Sequence, residues 1–229
     1  MDYATHSNTS LEGGTMPLPK IAIFALGGLV HYPAQCYRAT LAIFARYNVE
    51  PPPWETYIKE IKPKGVRGFF RDCGIADPIN GETPVAIYEE YLITHRRQLE
   101  LRENAKKALT FCHSNGMKTA IIGGVFSHET FYEIKRHGLA RSIDHVEGFS
   151  LHGDRELNST LACSQSEANA AIYADNEPQG LCAAKELGIW TIGMPGGFEQ
   201  SEATLRKNSN RFATDFGDVI RLLKDVKAE

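Results

Sequence analysis

Residues 21–33 read IAIFALGGLVHYP. An apolar run of strand length passes into Leu-Gly-Gly, the pattern of a buried strand entering a glycine turn. In open α/β sheets ligands bind just outside the carboxyl ends of the strands, so chemistry is expected at this turn. Between Ala25 and Val30, however, the chain carries no acid, hydroxyl, thiol or base.

Working outward, short β-rich runs alternate with helical patterns, which predicts a Rossmann-like α/β domain: a parallel sheet with helices on both faces. KTAIIGG (118–124) is the second strand. HVEGFS (145–150) holds a third, NAAIYADN (169–176) a fourth and IWTIGM (189–194) a fifth. HETFYEIKRHGL (128–139) is a helix stopped at Gly138, and PQGLCAAKELG (178–188) is one that begins with proline and stops at Gly188. Leu101, Ala105, Ala108 and Cys112 share one face of a helix ended by Asn115 and Gly116. Asp215 caps a last helix carrying Val219, Leu222, Leu223 and Val226 inward. Between the first strand and about residue 94 the pattern is helical or irregular and interrupted by Pro51 to Pro53, Pro63 and Gly65. It reads as a helical insertion.

This gives three parts: a tail over 1–19, a core over 20–33 and 96–229, and a helical cap over 34–95. The tail is polar, with neither a basic nor an apolar leader region, and points to a cytoplasmic protein. The 229 residues are 42% hydrophobic with a net charge of -3, enough for one well-filled core and without a polybasic patch. Nucleic acid and membrane are therefore not expected as partners. Five cysteines, widely spaced and without a CxxC pair, argue against a zinc site or a disulfide framework and suggest reduced thiols mostly in the core.

Three stretches carry a family resemblance: AAIYADNEPQGLCAAKELGIWTIGMPGG (170–197), residues 88–122 and residues 134–148. Through them the chain, over about residues 20–226, resembles the haloacid-dehalogenase-type (HAD) hydrolases. The similar branch is the phosphoglycolate-phosphatase-like one, whose small helical cap follows the first strand. The resemblance implies a first strand ending in Asp-x-Asp-Gly, with a nucleophile and then an acid/base. It also implies a Ser or Thr at the end of the second strand, a lysine in a third motif and a Mg²⁺-holding carboxylate in a fourth. A carboxylate nucleophile divides a hard displacement into two steps, and cations neutralise charge on phosphoryl oxygens.

Carried onto this chain, the nucleophile position holds Ala25, the acid/base position Gly27 and the hydroxyl position Gly123. Arg155 lies near the lysine position, and Asp175 with Asn176 keeps an acidic fourth motif. No cofactor is expected. Mg²⁺ is at most a weak ligand of Asp175, whose plainer reading, with Asn176, is a cap on the following helix.

The remaining polar candidates are His31 and His128, both placed at the sheet's carboxyl end and able to titrate near neutrality. Gly27, Gly28, Gly123, Gly124 and Gly153 offer bare backbone N–H groups around one crevice, where Arg155 and Asn176 would add donors; turn geometry alone is the competing reading. Trp54, Phe69 and Phe70 read as cap core or lip. Two functions fit. One is a catalytically silent HAD-like protein, a pseudoenzyme that binds a small ligand or a protein. The other is a repurposed hydrolase, lyase or isomerase acting on a non-phosphate substrate. The sequence does not determine the oligomeric state.

Overall fold

The computed structural model describes residues 19–96, 99–123, 127–148, 153–198 and 201–228, the side chains of 127–129, 153–155 and 226–228 excepted. Its strands are β1 (Ile21–Ala25), β2 (Lys118–Ile122), β3 (His145–Glu147), β4 (Ala171–Asp175), β5 (Trp190–Gly193) and β6 (Arg211–Phe212). Its helices are α1 (Leu26–Leu29), α2 (Tyr32–Arg46), α3 (Trp54–Asp72), α4 (Pro84–Thr94), α5 (Ala105–Ser114), α6 (Ser127–Arg136), α7 (Gly153–Ser164), α8 (Pro178–Glu186), α9 (Glu202–Asn208) and α10 (Phe216–Ala228).

The strands form one parallel sheet in the order β3-β2-β1-β4-β5-β6. Alternation along β1 supplies both faces. Ala22 and Phe24 pack with Leu109 and Cys112 of α5, Ile134 of α6 and Val219 and Leu223 of α10. Ile21 and Ile23 pack with Leu157 and Leu161 of α7 and Leu181 and Ala184 of α8. A strand buried on both sides reads as a continuous apolar run, as IAIFA does.

Three helices, α2 to α4, stand between β1 and β2 and share a separate core built on Phe44, Tyr57, Phe69, Phe70 and Tyr88. Phe69 and Phe70 thus belong to the insertion's core, with Trp54 packed at its side. The sequence breaks at Pro63 and Gly65 become a kink inside α3, where Gly65 adopts φ 65°. The chain enters and leaves the insertion through one crossing: Val30 bridges Leu101 antiparallel, His31 N–H donates to Glu100 O and Arg102 N–H donates to Leu29 O.

Several sequence readings need correction. Leu101 belongs to this crossing and not to a helix, because α5 starts at Ala105. The turn after β1 is the short helix α1. A sixth strand, Arg211–Phe212, precedes the last helix; at two residues it carries no periodic signal. Residue 155 lies in the first turn of α7 and not in a loop. All five cysteines are free thiols, yet only Cys36 and Cys112 are buried. Gly138 and Gly188 do adopt the positive φ expected of helix stops, and Asp215 does accept the Asp218 N–H. Residues 1–18 lie outside the described residues. Among those described, no helix is long and apolar enough to cross a membrane.

Candidate functional site

The parallel register brings the expected positions together at the carboxyl edge of the sheet. Ala25 closes β1 opposite Ile122, so Gly123 follows directly beside it, and Phe24 pairs with Ala174, which puts Asp175 on the other side. Gly27 sits in α1 facing this edge. A Cβ there would meet only Asn176 Oδ1, at 3.5 Å, and the Asn176 amide donates to Gly27 O at 2.8 Å. Asn176 therefore ties the first turn to the end of β4. The backbone of Gly28 runs close by, its Cβ direction pointing at Ala174 O.

Asp175 is 4% exposed. The Tyr173 hydroxyl donates to its Oδ2 at 2.7 Å, and the N–H groups of Asn176 and Glu177 donate to its Oδ1 at 2.7 and 3.2 Å. Burial pushes its pKa up to about 7, against the pull of the Tyr173 hydroxyl. The carboxylate lies against α8, where a Cβ on Gly180 would fall 2.1 Å from Oδ2, so only glycine leaves it room. The helix-cap reading is thus half right. Asp175 and Asn176 organise the turn before α8, but the N-cap is Glu177, and its side chain makes no cap bond.

Gly123 is blank for a steric reason. An ideal Cβ on it would lie 1.9 Å from Oγ1 of Thr130, a fully buried residue of α6. His31 is exposed at the N-cap of α2, and its printed bond is a backbone one to Glu100 in the crossing. Gly124 and the side chains of His128 and Arg155 lie outside the described residues, and nothing links them to the site.

Sequence reading missed the residues that close this edge. Arg102 donates through Nη1 to Pro195 O at 2.5 Å and Gly28 O at 3.3 Å, joining the first turn to the loop after β5. Gly196 in that loop adopts φ 96° under the guanidinium, and a Cβ on Gly197 would strike Asn176 O at 2.5 Å. Glu177 Oε1 accepts the Phe198 N–H at 2.8 Å, and its Oε2 pairs with Lys62 at the α3 kink. Phe198 packs on the insertion's core. The only sequence signal for this cluster was Pro-Gly-Gly at 195–197. Arg102, Lys62 and Glu177 looked like ordinary solvated charges.

Mg²⁺ demands near-octahedral oxygen ligation. The side chains at 25 and 27 offer no oxygen, and both oxygens of Asp175 already accept hydrogen bonds from the protein. Among the described residues no three His, Cys, Asp or Glu side chains could hold a metal ion. These residues do not fit the ion. What the edge does offer is a near-neutral, sealed carboxyl group, the Asn176 amide and the Arg102 guanidinium beside bare backbone.

Neither protein-family models nor curated protein sequences give a match. Solved structures do. A HAD family hydrolase from Deinococcus radiodurans, with bound phosphate and sodium, superposes with a TM-score of 0.78 at 14% identity, covering 92% of this chain and 97% of that one. A haloacid dehalogenase-like hydrolase from Streptococcus pneumoniae gives 0.74 at 19% identity, over 89% and 98%. CbbY from Rhodobacter sphaeroides, in complex with phosphate, gives 0.67 at 15%, over 88% and 96%. Identities this low speak for architecture alone, and the architecture is plain: this chain has the haloacid-dehalogenase-like fold, with a helical insertion after its first strand.

Proposed function

We propose that the protein is a catalytically silent binder on the HAD-like scaffold, a pseudoenzyme of the cytoplasm. It holds a small molecule or a protein segment in the crevice between the first turn and the helical cap. In this reading residues 34–95 form the cap over a core of 20–33 and 96–229. The observation that carries it is the pairing of Ala25 with Asp175: no side chain at the end of β1 can attack phosphorus, and the neighbouring carboxylate is committed to Tyr173 and the backbone. Loss of a covalent nucleophile costs roughly four or more orders of magnitude in rate. The Gly27 backbone, the Asn176 amide and Arg102 are the binding groups.

The expected result is no Mg²⁺-dependent hydrolysis of a generic aryl phosphate, and a co-purified small molecule or protein in native mass spectrometry. Turnover that scales with Mg²⁺ and disappears in Asp175→Ala would overturn it. One observation favours the repurposed enzyme as a second reading. A carboxyl group with a pKa of about 7 beside a tyrosine hydroxyl suits proton transfer to a non-phosphate substrate. A substrate turned over without metal, and lost in Asp175→Asn, would favour it.

A further inference from the structure

β3 ends the sheet on its side and, among the described residues, pairs with β2 alone. The Gly123 N–H donates to Glu147 O, so the backbone of Glu147, and by alternation that of His145, faces β2. The N–H and C=O of Val146 between them therefore face outward. Such an edge is a template for another strand. It borders a groove of about 430 Å³ lined by Phe131 and Ile134 of α6 with Ile143 and Val146, and Phe131 is 45% exposed.

We propose that this edge is the contact between two copies of the chain, with β3 antiparallel to the second copy's β3 about a twofold axis at Val146. The strand's own sequence selects that occupant. Reading His-Val-Glu in opposite directions about Val146 sets each His145 opposite the second copy's Glu147. The two valines meet as a hydrogen-bonded pair that exchanges both N–H···O bonds, which the outward backbone of Val146 requires. Within one chain His145 Nε2 already lies 3.3 Å from Glu147 Oε2, and Ser159 Oγ donates to the same oxygen at 2.8 Å. The second copy extends this into an alternating network on the α7 face, where cross-strand opposite charges stabilise. On the α6 face the groove and Phe131 are covered from both sides. A contact of this symmetry closes on itself and leaves no free β3 edge.

Sedimentation velocity of the full chain across the micromolar range tests the proposal. A reversible dimer is expected. Glu147→Lys sets lysine against histidine and weakens it by roughly tenfold or more, whereas His145→Glu combined with Glu147→Lys restores the match and recovers affinity. Phe131→Ser, on the surface, weakens the dimer without threatening the fold, and circular dichroism verifies folding of every variant. A wild-type chain that stays monomeric throughout overturns the proposal. So does a dimer indifferent to both Phe131→Ser and Glu147→Lys, or a double variant no tighter than Glu147→Lys alone.

Discussion

Thr130 Oγ1 lies 1.9 Å from the point where a Cβ on Gly123 would stand. The hydroxyl that the family resemblance expects at the end of β2 is thus excluded by a hydroxyl from the next helix, and the two positions form one packing unit.

Gly123→Ala should therefore destabilise the fold by about 1–3 kcal/mol through overpacking. Removing the obstructing Oγ1 in Thr130→Ala leaves a Thr130 Cβ contact of 3.0 Å, tight but tolerable. The double variant should then be more stable than the sum of the single effects, a coupling readable in a denaturation cycle. Strict additivity would show that Thr130 does not occupy that space.

Asp175 should make stability depend on pH in a direction unusual for a carboxylate. Its pKa is about 7 in the folded chain against an ordinary 3.8, so between these values the folded state holds one proton more than the unfolded state. Stability conferred by this group is thus highest below about pH 4, declines as pH rises to about 7 and is flat above. The decline is on the order of a few kcal/mol. Asp175→Asn keeps an acceptor for the backbone N–H groups and should remove it. Parallel pH profiles of wild type and variant would contradict the assignment.

Lys62 and Glu177 join the α3 kink to the turn before α8. Their side chains are 39% and 25% exposed, so the pair contributes under ~1 kcal/mol to global stability. Its effect should appear locally: Lys62→Ala, or high salt on the wild type, speeds hydrogen exchange around the α3 kink with little change in melting temperature. Glu177→Ala should go further and release residues 195–198 as well, since Phe198 N–H loses its acceptor. Unchanged exchange in both variants would mean that packing alone seats the helical insertion.

Where the sequence was legible, the signal was local. IAIFA, KTAII and AIYAD read as buried parallel strands because each must be apolar on both faces, and Pro178, Gly138 and Gly188 marked helix ends through their own backbone preferences. β6 and α7 were missed, the first because two residues have no period, the second because its polar start, Gly-Asp-Arg, resembles a loop.

The sequence alone determined that Ala25, Gly27 and Gly123 bring no reactive group, since that is a matter of residue identity. It also determined the order of strands and the helical insertion between the first two. Only the tertiary structure decided why Gly123 is glycine, because the obstruction comes from Thr130 on another element. Only it decided what Asp175 does, because a carboxylate's partners and burial depend on Tyr173, Gly180 and the chain's path into α8. Arg102, Lys62 and Glu177 acquire their roles the same way. A charged side chain has no local preference for a partner tens of residues away, and the contact exists only once the fold has brought the two together.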